Sequence, residues 1–238
     1  MKYILALWLS LTVSIVVQSQ MSATDLLEKS IKYHDSHGAL THHDVTLYLN
    51  EKRPNGSDRK STVAFNIKKE RYSNTRVNDG VEVVSKIENG KSSITIDGRS
   101  DYTDEEKKKH RLNPDRMETM KNYYQYLWLL PIKLKDEGTI IDPEVRTKDY
   151  FGKESLEIRV TYDPKVGKDI WYFYFHPQSY ALQGYRFYHD ESANDGEYII
   201  LEGEEIAHGA RVPKSRKWYT HKEDKFLGED VLDKLVVK

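Results

Sequence analysis

Short runs of alternating apolar residues, each followed by a turn signal, dominate the region from Val45 to Ile96. The runs are Val45, Leu47, Leu49; Val63, Phe65, Ile67; Val81, Val83; and Ile94, Ile96. A period of two turns one side of an extended chain to the core and the other to water. Pro54-Asn55-Gly56, Asp79-Gly80, Asn89-Gly90 and Asp97-Gly98 punctuate them, and such residues tolerate positive φ and close tight hairpins. The first half is therefore expected to be an antiparallel meander, with the Asn55-Gly56-Ser57 sequon serving as a turn.

The same strand pattern returns after Asp136-Glu137-Gly138, first in Leu156, Ile158, Val160, Tyr162. It continues through Ile170 to Phe175, Tyr185 to His189, Tyr198 to Leu201 and Lys214 to His221, with Glu229 to Val237 readable as a strand or a short helix. Helical spacing occurs twice. Leu26, Leu27, Ile31 and Tyr33 mark a helix behind Thr24 that ends at Gly38. Between Thr103 and Lys135 two more helices are expected, the second starting near Pro114 behind Asn113 and running to Pro131. The 238 residues carry no long linker or internal repeat, so a single domain follows. About ten or more strands in one sheet must curl or close. The expected fold is mainly β (α+β): a large curved antiparallel sheet forming an incomplete barrel, with an N-terminal helix and an inserted helical lid.

Aromatic residues point to the interior of that barrel. The chain holds 17 Tyr, 6 Phe and 4 Trp, and Ile170 to Phe175 is bulky on both faces, with Trp171, Phe173 and Phe175 on one and Ile170, Tyr172 and Tyr174 on the other. Tyr185 and Phe187 share a face of the next strand, and the end of the inserted helix, Tyr123 to Leu130, is apolar nearly all round. Two readings fit: a core filled by aromatic side chains, or an apolar cavity beneath the helix that holds one small ligand.

Composition excludes several classes. Lys plus Arg is 37 against 38 for Asp plus Glu, a balance with no basic excess to bind nucleic acid. The absence of cysteine excludes disulfides, thiolate metal sites, a cysteine nucleophile and a lipid anchor on an N-terminal cysteine. Met1 to Gln20 has one charge, Lys2, ahead of an apolar stretch from Tyr3 to Val17, the layout of a secretory signal peptide cleaved after Ser19. The mature domain then spans 20–238. Export without disulfides suits a bacterial periplasm.

Candidate chemistry is thin. His34, His37, His42 and His43 with Asp35 and Asp44 are the densest set of potential metal ligands, yet they straddle a helix end, and no zinc framework follows at a recognised spacing. Glu202, Glu204 and Glu205 around Gly203 read as a solvated hairpin. Gly90-Lys91-Ser92 lacks the upstream glycine of a phosphate loop, because position 85 is Ser85. With no G-x-S-x-G, H-E-x-x-H or dinucleotide fingerprint, no cofactor and no metal is expected. An envelope hydrolase would have to use His189, Asp190 and Glu202.

Several runs carry a family resemblance. Tyr123-Tyr124-Gln125-Tyr126-Leu127-Trp128-Leu129-Leu130-Pro131-Ile132-Lys133-Leu134, Tyr172 to Phe175, Tyr180-Ala181-Leu182, Gly184 to Glu191 and Gly196 to Ile199 resemble an uncharacterised family of exported proteins from Bacteroidota. Its order of elements is similar to the LolA/LolB lipoprotein-carrier fold, whose concave apolar face holds acyl chains. The family has no established activity to carry over, and a shared fold does not transfer a role; the reading favoured by the aromatic faces and the signal peptide is a non-enzymatic periplasmic protein that binds a lipid or other hydrophobic molecule. The residues expected to hold it are Tyr123, Tyr126, Leu127, Leu130, Trp171, Phe173, Phe175, Tyr185 and Phe187. A partner, if any, would be an envelope protein or a membrane surface. A filled core with an exposed aromatic patch would instead indicate an interaction module.

Overall fold

The computed structural model describes residues 21–54, 56 and 58–238. The N-terminal segment assigned to a signal peptide, and Asn55 and Ser57 of the sequon, lie outside the described residues. Among these residues thirteen strands make one antiparallel sheet. The first five are β1 (Val45–Lys52), β2 (Arg59–Asn66), β3 (Arg71–Asn78), β4 (Val81–Glu88) and β5 (Lys91–Ile96). The remainder are β6 (Thr139–Ile141), β7 (Arg146–Tyr150), β8 (Lys153–Tyr162), β9 (Ile170–Phe175), β10 (Leu182–Tyr188), β11 (Glu197–Ala207), β12 (Ala210–Thr220) and β13 (Phe226–Val237).

Spatial order runs β5-β4-β3-β2-β1-β13-β12-β11-β10-β9-β8, with β6 and β7 side by side on the outer edge of β8. The last strand returns to the first, Val45 opposite Val237 and Lys52 opposite Glu229. Two consecutive meanders are thereby sewn into one curved surface. β5 and β6–β7 do not meet, so the barrel stays open.

Helices line the concave side. α1 (Ala23–His34) starts at Ser22, whose hydroxyl accepts from the Asp25 amide at 3.1 Å, and buries Leu26, Leu27, Ser30 and His34 along one stripe. It stops three residues before His37, because the Asp35 carboxylate turns to accept from the Ala39 and Leu40 amides at 2.6 and 3.0 Å, opening α2 (Ala39–His42). The inserted segment holds α3 (Asp104–His110), closed by a Thr103–Glu106 capping box, and α4 (Met117–Trp128) behind the 3-10 turn at Pro114. None of these helices is long and apolar enough to cross a membrane.

The core is the concave face itself. Val45, Leu47 and Leu49, Val63 and Phe65, Ile158 and Val160, Phe173 and Phe175, Tyr185, Ile199 and Leu232 are all buried there in one cluster with Leu26 and Leu27 of α1, Leu40 of α2, and Leu127 to Leu130 at the end of α4. β3, β6 and β7 are strands that the alternation did not mark, and β11 is longer than expected. β3 has no apolar alternation, because Tyr72, Asn74 and Arg76 occupy its concave positions. β11 runs unbroken past Gly203, so the expected hairpin at Glu202 to Glu205 is strand, and the turn lies at His208-Gly209. Of the two readings of the C-terminal stretch, strand is the one found.

On the convex side the Tyr150 ring stacks on Tyr174 at 4.0 Å, and its hydroxyl reaches the carbonyls of Ile199 and Tyr185 at 2.9 and 3.1 Å. The ring lies directly over Gly184, where a Cβ would stand 2.3 Å from it. Glycine at this strand position is the condition for that close approach.

Candidate functional site

Three contacts fix α4 over the concave face. The Tyr124 hydroxyl donates to Glu51 on β1 at 3.2 Å. The Tyr126 hydroxyl is hydrogen-bonded to that of Tyr162 at the end of β8, and its ring meets Trp171 edge-on at 5.6 Å. Arg216 on β12 donates to the carbonyl of Leu127 at 3.0 Å. Between the helix and β8 to β13 these contacts leave a cavity of about 1040 Å³.

The apolar wall is Tyr123, Tyr126 and Leu127 from the helix and Trp171, Phe187 and Trp218 from the sheet. Trp171 and Phe187 face each other across β9 and β10, stacked at 4.7 Å. The other four residues expected at the site lie below it: Phe173, Phe175 and Tyr185 are fully buried and Leu130 nearly so. They form the floor on which the lining rests, with Tyr185 at 6.0 Å from Trp171 and 6.4 Å from Trp218. The Tyr185 hydroxyl makes no well-aligned hydrogen bond among the described residues, its polar neighbour being the buried guanidinium of Arg216.

Charged groups rim the cavity, and hydropathy alternation gave no sign of them. Arg53 donates to Asp230 at 3.0 Å, and the indole N–H of Trp218 donates to the other oxygen of Asp230 at 3.1 Å. Burial pushes the Asp230 carboxyl up, and Arg53 pulls it only partly back. Lys133 pairs with Asp136, and Asp169 accepts from His189 at 2.7 Å. The Asp169 carboxylate raises the His189 pKa. Glu197 is left without an ion pair among the described residues; burial raises its pKa, against the pull of His189.

The hydrolase residues are not assembled. Asp190 caps the turn at Ser192 at 2.9 Å, and Glu202 pairs with Lys217 at 2.7 Å on the surface. His34 is a staple rather than a solvated helix end, with Nδ1 2.8 Å from the Arg211 carbonyl and Nε2 accepting from the Leu182 amide at 2.9 Å. Among the described residues no group of three His, Asp or Glu side chains could hold a metal ion.

The family model described as a family of unknown function, DUF6503, matches residues 2–234. The chain belongs to that family. No curated protein matches it in sequence. Among solved structures it is similar to a LolA superfamily protein, NE2245, from Nitrosomonas europaea, with TM-score 0.53 and 9% identity over 92% of this chain and 94% of that one. A DUF1329 family protein from Desulfovibrio piger is similar at TM-score 0.51 and 8% identity, covering 90% of this chain and 92% of that one. At such identities the likeness is one of fold, and the DUF6503 chain has the LolA-like architecture: an open antiparallel sheet with a helical segment inserted in the middle.

Proposed function

We propose that the protein is an exported, non-enzymatic carrier that leaves a signal peptide behind and holds a lipid or other hydrophobic molecule in the bacterial periplasm. The observation that carries this reading is the cavity of about 1040 Å³ walled by Tyr123, Tyr126, Leu127, Trp171, Phe187 and Trp218. Ligand sites in barrel-like sheets have this makeup, a mostly aromatic wall with a few polar groups at the rim. The LolA superfamily fold of a structural neighbour supports it as an analogy of fold. Phe173, Phe175, Tyr185 and Leu130 support the wall from behind.

Titration with N-phenyl-1-naphthylamine, a neutral apolar fluorophore, tests the reading. One saturable site is expected, emptied by long-chain alcohols, with at least tenfold weaker binding in Trp171→Glu while its melting temperature stays within a few degrees. A folded wild-type protein that shows no saturable binding would overturn it.

A further inference from the structure

A second cavity, of about 670 Å³, lies on the other half of the sheet, between β3 to β5 and the inserted helices. Its floor is the polar face of β3, with Tyr72, Asn74 and Arg76 opposite Phe65, Val63 and Ser61 of β2. Alternate positions of a strand share a face, so all three point to the concave side, where neighbouring strands present core residues.

Two of the three floor residues carry buried polar atoms left unsatisfied. Tyr72 and Asn74 are 3% and 4% exposed, yet the Tyr72 hydroxyl and the Asn74 amide oxygen find no well-aligned hydrogen bond among the described residues, the Asn74 side chain only standing close enough to the hydroxyl to offset part of the effect of its burial. Buried polar atoms are nearly always satisfied. Arg76 is half-buried in the wall of the cavity. Its charged neighbours are another cation, Arg59, and, with a smaller effect, Glu51, whose carboxylate is already bonded by Arg59 at 2.6 and 2.7 Å. Burial and Arg59 both lower the Arg76 pKa. Lys107, Lys108, Arg111 and Arg116 also line the cavity, with Asp104 and Asp115 as the acidic residues of its wall.

We propose that this cavity binds a phosphate-type anion, carried by a small phosphorylated solute or by the phosphate of a lipid headgroup. Arg76 is its half-buried counter-ion. The Tyr72 hydroxyl and the Asn74 amide, which can turn either end inward, donate to its oxygens, and the lysines and arginines of the inserted segment close over it. A guanidinium matches phosphate with two parallel N–H bonds. The volume exceeds that of inorganic phosphate and leaves room for the group that carries it. Glu51 stands between the two cavities, accepting from Arg59 of this one and, at 3.4 Å, from Arg53 of the other.

Isothermal titration of the mature protein at low salt, with inorganic phosphate, pyrophosphate, glycerol 3-phosphate and monomeric dihexanoyl phosphatidic acid, tests the site. Saturable binding that weakens with added salt is expected. Arg76→Met should weaken it at least tenfold and, without anion, melt no lower than wild type, because a charge that burial and Arg59 both disfavour has left a half-buried position. Tyr72→Phe should weaken it several-fold in a protein of native stability. Equal binding of glycerol 3-phosphate and the lipid would identify a soluble phosphorylated ligand, whereas binding of the lipid alone would identify a headgroup. The proposal is overturned if none of the four binds wild type, or if Arg76→Met and Tyr72→Phe bind as well as wild type does. Neither result bears on the apolar cavity, which the neutral fluorophore reports separately.

Discussion

The guanidinium of Arg216 lies 3.6 Å from the centre of the Trp128 ring and is almost completely buried. Pro131 stands four residues after Leu127, and without an N–H it cannot satisfy the Leu127 carbonyl. Arg216 does so at 3.0 Å. Burial lowers the Arg216 pKa, and the Trp128 face and the carbonyl offset part of that cost. Arg216→Met is expected to destabilise the last turn of α4 by roughly 2 kcal/mol, the value of a desolvated cation–π contact. Amide exchange in α4 measures this, and unchanged protection there would contradict the role.

Glu51 accepts from Arg59, Ser61, Tyr124 and Arg53 in the middle of the concave face. Burial alone would push its carboxyl up, but the bonds from Arg59 and Ser61 and the two guanidinium charges hold it below the ordinary 4.5. A depressed carboxyl stabilises the fold above its unfolded pKa, and the contribution disappears as pH falls through the folded value. Glu51→Gln is therefore expected to cost roughly 2–4 kcal/mol at pH 7, in the lower range for a broken buried pair because both arginines reach solvent. Urea unfolding across pH 7 to 3 should show the difference shrinking below about pH 4.5.

His34 behaves with the same sign for a different reason. Burial lowers its pKa below 6.5, so the unfolded chain takes up a proton that the folded chain refuses, and stability declines as pH falls below about 6.5. His221, also lowered by burial, adds to the decline. His34→Gln should lower the melting temperature at pH 7, through imperfect bonds to Arg211 and Leu182, and flatten its fall between pH 6.5 and 5. A parallel slope in the variant would remove His34 from the account.

What could be read from the chain followed from hydrophobic alternation and turn chemistry. Asp79-Gly80 and Asn89-Gly90 mark real hairpins, and Ile170 to Phe175 is a strand whose Trp171, Phe173 and Phe175 share the concave face. Alternation says which face a residue takes and not how deep it lies: Trp171 and Phe187 line the cavity, whereas Phe173 and Tyr185 are sealed beneath it. β3 escaped notice because its inward residues are Tyr72, Asn74 and Arg76, a pattern indistinguishable from a polar loop. Arg216 and Asp230 escaped for the same reason. A buried charge is set by partners distant in sequence, such as Trp128 and Arg53, and has no local signature.

Native mass spectrometry of the mature protein isolated from its own cell envelope, followed by organic extraction, tests the carrier account most directly. A reproducible hydrophobic molecule at about one per chain is expected, absent from Trp171→Glu isolated in parallel. A clean apo mass that takes up no offered lipid would contradict the account.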